Sequence, residues 1–201
     1  GAIKSEHFYK KDAAGIAILH GPSTYYSERG SVLTKAWYYR GKHHGVTFTY
    51  YPSKALYAKL SYKEGSPELN HTYYYEDGTI KTVLPYKGGK LHGLSTLYHE
   101  KGSTFRTIPY NQGNKDGIEQ EFNPNGVLVT EKEYNNNALI RETYRNARNV
   151  LMEERIHHTK EKSDIRKWDQ FGHLHVERVF IDSKNYTYKE WDENKAFTKE
   201  Y

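Results

Sequence analysis

Apolar and polar residues alternate along much of this chain with a period of two. Val32, Thr34, Ala36 and Tyr38 share one parity, as do Val46, Phe48 and Tyr50, then Leu56, Ala58, Leu60 and Tyr62. The pattern continues through Ile80, Thr82, Leu84 and Tyr86, and through Leu94, Thr96 and Tyr98. In a β-strand, residues of one parity share a face, so the pattern predicts strands with even-numbered side chains on one side. The opposite side then carries a less regular aromatic set: Tyr25, Trp37, Tyr39, Tyr51, Tyr57, Tyr73 and Tyr75. In a single-layer sheet no second layer covers these rings, which makes them candidate partner contacts. Tyrosine is also a good strand residue on any half-exposed face, so the set is more informative than any one ring.

The alternation is punctuated at a fixed interval. Steps of 24 from Gly21 give Gly45, Leu69, Gly93 and Gly117, and five positions on from these stand Tyr26, Tyr50, Tyr74, Tyr98 and Phe122. Nine positions on come Gly30, Lys54, Gly78, Gly102 and Gly126. Seventeen on come Tyr38, Tyr62, Tyr86, Tyr110 and Tyr134, and twenty on come Gly41, Gly65, Gly89, Gly113 and Asn137. Twelve of the 16 glycines fall in these columns, so the repeat organises the chain. Each unit reads as a β-hairpin whose first loop ends at the glycine nine positions in, where a positive φ is needed. A second loop, such as Gly41 to Gly45, hands the chain to the next hairpin. His20, His43, His44 and His92 are then turn residues of the repeat.

The expected fold is all-β: an elongated, twisted, single antiparallel sheet of stacked hairpins, with some sixteen strands at about 4.8 Å spacing. It forms one repeat domain over 1–201, with 1–20 as an N-terminal cap or partial repeat, 21–137 as five regular repeats and 138–201 as about three degenerate ones. After Asn137 the glycines thin out, but aromatics persist at Tyr144, Trp168 and Trp191. Over 138–158 a helix competes with the hairpin, because Ile140, Tyr144, Ala147 and Leu151 recur at three- to four-residue spacing. The aromatic column on both sides favours the hairpin.

Composition fits one layer better than two. Mean hydropathy is −0.97, and 36% of residues are hydrophobic even with 20 tyrosines counted. Aromatic content of 15% argues against disorder. Net charge is +5, but 30 basic residues are interleaved with 25 acidic ones and no basic run reaches five. No phosphate-tracking patch is visible, so nucleic acid is not the expected partner. Without cysteine, disulfides, CxxC pairs and zinc ribbons are ruled out. No apolar run approaches the roughly 18 residues that span a bilayer, and the start at Gly1-Ala2 is compatible with a removed signal peptide or lipid anchor.

Candidate chemistry changes little. His173 and His175 stand at i, i+2, but no third ligand has suitable spacing, so no metal site is expected. The chain lacks a GxSxG elbow, a P-loop and an HExxH helix. Acidic pairs such as Glu76-Asp77 and Glu119/Glu121 sit in turns or at alternating exposed positions. No catalytic residue and no cofactor is expected, and the chain reads as a non-enzyme.

The columns resemble the MORN repeat family in its bacterial variant, whose signature reads here Tyr73-Tyr74-Tyr75-Glu76-Asp77-Gly78, then Tyr86-Lys87-Gly88-Gly89-Lys90-Leu91-His92-Gly93. The resemblance covers 20–137 well and 138–201 weakly; Leu69, Lys54 and Asp116 depart from it. It implies stacked hairpins and a binding role. Bacterial proteins of this kind include antitoxins of the YwqK type and immunity proteins against secreted toxins, acting in the cytoplasm or periplasm. Eukaryotic relatives are scaffolds proposed to touch phospholipid. The resemblance therefore points to a protein partner, a cognate toxin, with an anionic phospholipid or polysaccharide surface as the alternative.

Overall fold

The structure is a computed structural model describing residues 3–159, 162–181 and 185–191, with the backbone of 197–200. Among these there is no helix, and so none long and apolar enough to cross a membrane. The strands fall into two compact units, Gly1–Gly102 and Ser103–Tyr201. Unit 1 holds β1 (Ser5–Lys11), β2 (Ala17–Tyr26), β3 (Val32–Tyr39), β4 (Lys42–His43), β5 (Gly45–Tyr50), β6 (Leu56–Lys63), β7 (Ser66–Pro67), β8 (Leu69–Tyr74), β9 (Ile80–Lys87), β10 (Lys90–Leu91) and β11 (Gly93–Tyr98). Unit 2 holds β12 (Thr104–Asn111), β13 (Asn114–Lys115), β14 (Gly117–Phe122), β15 (Leu128–Asn135), β16 (Ala138–Arg145), β17 (Leu151–His157), β18 (Ser163–Trp168), β19 (Leu174–Phe180), β20 (Tyr186–Trp191) and β21 (Phe197–Glu200). In each unit the full-length strands pair antiparallel in succession, as an open layer of hairpins. The two-residue strands β4, β7, β10 and β13 are the leading pieces of β5, β8, β11 and β14, so the strand number is close to expectation.

Two turn types build the repeat. At the first, the amide at the ninth position bonds back three residues, as Gly30 does to Ser27 (2.9 Å), Lys54 to Tyr51 (2.9 Å) and Gly126 to Asn123 (2.9 Å). The same turn recurs in the degenerate segment, with Asn149 bonding to Asn146 (2.9 Å) and Gly172 to Asp169 (3.0 Å). The glycine column therefore continues there with asparagine standing in at Asn149, φ 65°. The second turn places two successive residues at positive φ: Arg40-Gly41, Glu64-Gly65, Gly88-Gly89, Gln112-Gly113 and Asn136-Asn137. That is the two-residue hairpin turn whose twist matches the strands. Its second amide also ties hairpins together: Gly41 donates to Leu19 (2.8 Å), Gly65 to His43 (2.8 Å), Gly89 to Pro67 (3.0 Å) and Asn137 to Lys115 (2.8 Å).

One expectation about faces is wrong. Even-numbered residues share a side in β3, β6 and β9, but not in β5, β8, β11 and β14. Thr47 stands opposite Leu60, His71 opposite Leu84 and Glu119 opposite Lys132, so the odd residues of these first strands join the column face. Val46, Phe48, Thr72, Thr96 and Gln120 lie on the reverse face. The cause is one extra residue at His44, Glu68, His92 and Asp116, whose amides bond to Trp37, Ser61, Pro85 and Pro109 and split each strand at a bulge. A second bulge, between Thr49 and Tyr50, Tyr73 and Tyr74, or Glu121 and Phe122, returns the aromatic column to its side.

The competing readings of 138–158 resolve to a hairpin, β16 with β17. Residues 5–26 also form a full hairpin, β1 with β2, closed by Asp12, whose Oδ1 accepts from the amides of Ala14 and Ile16 (2.9 Å each).

Where the repeat lacks its glycine, the turn persists under strain. Leu69 holds φ 59° with its side chain 68% exposed. A left-handed non-glycine residue costs about 1–2 kcal/mol, of which glycine's greater unfolded-state freedom cancels part. Leu69→Gly is expected to raise Tm by about 1–4 °C in a thermal melt, whereas Leu69→Ala, which keeps the strain, brings no gain.

Candidate partner-binding surface

The column face of unit 1 is uncharged and built from interleaved rings. Tyr38, His43, Tyr62, His71 and Tyr86 follow one another across β3 to β9, with centroids 4.3, 5.0, 5.2 and 4.5 Å apart. Tyr38 Oη and His43 Nε2 are hydrogen-bonded at 2.8 Å, and His71 Nε2 lies 2.7 Å from the Ser61 carbonyl. His43 is thus a rung of the ladder as well as a turn residue, and His20 lies within β2. A series of buried polar residues stands at the repeat interval, Ser23, Thr47, His71 and Ser95 in unit 1 and Glu119 in unit 2. Sequence reasoning missed it, because these residue types share no hydropathy.

Burial holds the His43 imidazole below its ordinary value of 6.5. The unfolded chain takes up that proton near 6.5 and the folded chain only at lower pH. The contribution to stability is therefore fully present above 6.5 and is lost as pH falls through the folded pKa. Urea midpoints measured from pH 7 down to 5 are expected to fall, and His43→Phe to flatten part of that slope.

In unit 2 ion pairs take the place of the rings. Glu119 lies 2.5 Å from Lys115 and 3.8 Å from Arg106, which also meets Glu121 at 2.5 Å. Glu142 accepts from Tyr144 Oη at 2.7 Å and stands 3.2 Å from His157 and 3.7 Å from Lys132. Burial pushes the Glu142 carboxyl up, but the bonds from Tyr144 and His157 outweigh it and the net shift is downward. Burial, then the bond to Glu142, pushes the Tyr144 phenol up to about 12. On the reverse face Arg166 joins Glu154 (3.2 Å) to Glu177 (2.9 Å), and Arg141 meets Glu154 at 2.7 Å.

The seven expected contact rings separate into three groups. Tyr25 and Tyr73 belong to the column face: Tyr25 Oη lies 3.2 Å from Tyr38 Oη, and Tyr73 is aligned with Ala58 and Thr82. The bulges that change parity put them there. Tyr51 and Tyr75 tie hairpins together, donating to the carbonyls of Tyr74 and Tyr98 (2.8 Å each). Trp37, Tyr39 and Tyr57 stay 48%, 41% and 40% exposed, although the Tyr57 ring packs edge-on against Tyr51 (5.1 Å) and Tyr73 (5.8 Å). Tyr39 sits between His20 (5.0 Å) and His44 (5.6 Å), with the Arg40 guanidinium 5.3 Å from its ring centre.

His173 is bonded to Asp169 at 3.1 Å in the turn before β19, while His175 lies within β19. Among the described residues no three His, Asp or Glu are gathered as metal ligands.

Residues 44–64, 67–87 and 115–136 each match the model of the MORN repeat variant family. They coincide with hairpins β5–β6, β8–β9 and β14–β15 and end at or just before the second turn of each. No curated protein matches the chain. Among solved structures, the crystal structure of TcdB2-TccC3-Cdc42 aligns over 99% of this chain at 13% identity and a TM-score of 0.25, and the chain spans 12% of that chain's length.

Proposed function

We propose that this protein is a non-enzymatic, protein-binding repeat protein that acts as a bacterial antitoxin or immunity protein and neutralises a cognate toxin. The observation that carries the reading is the division of labour among its side chains. The repeat's own residues are consumed in turns, ladders and ties, while Trp37, Tyr39 and Tyr57 are left outward on a fixed strand surface. Such rings give large contact area with few torsions to freeze, and they are enriched at protein interfaces. The MORN-variant repeats support a binding role, and the resemblance to YwqK-type antitoxins supports the kind of partner.

Expression of the product of the adjacent gene, with and without this protein, tests the reading. A growth arrest relieved by this protein is expected. A neighbour that is harmless, or whose toxicity is unchanged, contradicts it.

A further inference from the structure

From β2 to β11 unit 1 sorts charge by face, although its sequence does not; β1 adds one strand acid to the reverse face, Glu6, aligned with Thr24 and bonded to the Tyr26 hydroxyl (2.9 Å). Strands β2 to β11 contain no aspartate or glutamate; the acids of that stretch, Glu28, Glu64, Glu68, Glu76 and Asp77, all lie in turns or at bulges. Their lysines all project from the reverse face. Lys35 is aligned with Phe48, and Phe48 with Lys59; Lys42 is aligned with Tyr39, and Lys63 follows the column residue Tyr62. Further along, Lys87 is aligned with Lys90, and the Lys81 ammonium stands 5.3 Å from the Tyr75 ring centre. All these lysines are exposed, and among the described residues none forms an ion pair. Trp37 and Tyr39 open between them, and Tyr57, packed edge-on against Tyr51 and Tyr73, is 40% exposed. At the β1 end, Tyr39 and His20 line a hollow of about 480 Å³ together with Lys10, Lys11 and Arg40. The one carboxylate there, Asp12, is engaged by the amides of its own turn.

We propose that this reverse face of unit 1 binds single-stranded nucleic acid, with the lysines on successive phosphates and bases stacked on Trp37, Tyr39 and Tyr57. A positive surface with planar rings set into it is the chemistry that holds such strands without reading sequence. Lysine supplies compact point charges suited to phosphate. A membrane fits less well. Neighbouring strands are ordinarily rotated by roughly 20–25°, so the five steps from β3 to β11 turn the face by roughly 100–125°. A plane then meets only part of the lysine set, while a flexible strand follows all of it. The inference goes beyond the proposed protein partner, and a protein seated on the same rings competes with the strand.

The test is fluorescence anisotropy of the full chain with a labelled oligo-dT strand of about 20 nucleotides, across a series of salt concentrations. Binding is expected to weaken with salt at a log–log slope of about −0.7 per phosphate neutralised, and Lys59→Ala is expected to reduce the slope by about 0.7. Trp37→Ala is expected to weaken binding by about tenfold, and Trp37→Phe, which keeps a ring, by much less. Tyr57→Ala provides a second ring variant, and circular dichroism checks that each variant is folded. An abasic strand of equal length is expected to bind more weakly. The proposal is overturned if the oligonucleotide does not bind, or if the abasic strand or polyglutamate binds as tightly. Capture by phosphatidylserine vesicles without oligonucleotide binding also overturns it. Neither result bears on whether the neighbouring gene product is bound, which is measured separately.

Discussion

Gly117→Ala is expected to destabilise the protein by about 3 kcal/mol, lowering Tm by roughly 6–12 °C. Gly117 holds φ +109°, and a Cβ built there stands 3.2 Å from Pro109 Cγ and 3.5 Å from Pro109 Cβ. The φ lies where side chains are strained, and the obstacle is a proline ring that cannot rotate away. Gly126 provides the control: its φ is +80°, but an added Cβ meets nothing within 4 Å. Gly126→Ala carries only the left-handed penalty of about 1–2 kcal/mol. Differential scanning calorimetry of the two variants separates close approach from backbone strain. Equal losses would show that the contact with Pro109 is not what fixes glycine there.

Ala58→Phe is expected to cost about 1–3 kcal/mol by overpacking, and to lower Tm by about 2–10 °C. Ala58 is 0% exposed and is aligned with Thr49 on one neighbour strand and Tyr73 on the other. The column-face rings close over it. A phenyl group at that position must displace the ladder or tilt the strand. Lys59→Phe, one residue on and exposed on the reverse face, is the matched control and is expected to leave Tm nearly unchanged. Together the two substitutions measure the difference between the faces.

Most of the fold is legible in the sequence because its turns demand particular backbone angles. Glycine recurs where φ is positive, so a 24-residue period survives even where strand residues vary freely. The tyrosine column at Tyr38, Tyr62 and Tyr86 is legible for a related reason, since those rings touch the same kind of neighbour in each hairpin. What parity could not show is the extra residue at His44, Glu68, His92 and Asp116. Three kinds of side chain (His, Glu and Asp) occupy that one backbone position, because the bulge is set by main-chain bonds and not by the side chain. That one residue reverses the face of β5, β8, β11 and β14 and moves Tyr73 off the open surface; Tyr25 is set apart from Tyr26 by the bulge between them.

The ion-pair ladder of unit 2 stayed hidden for another reason. Glu119 reads as an exposed carboxylate until Lys115 and Arg106 are seen beside it. Charge sorting in unit 1 was masked because turn acids and strand lysines are interleaved along the chain and separate only when folded. Alternation already separated Tyr39 from Tyr38, but which of the seven candidate rings stay exposed needed the structure, since bulges and ties between hairpins are invisible to parity.

The central claim is that the repeat columns make the scaffold and the reverse face of unit 1 makes the contact. Co-purification of the adjacent gene product with Trp37→Ala/Tyr39→Ala/Tyr57→Ala, compared with the wild-type chain at equal folded concentration, tests it most directly. The account predicts that the triple variant keeps a Tm close to wild type and loses the partner. A triple variant that retains the partner undiminished would contradict it.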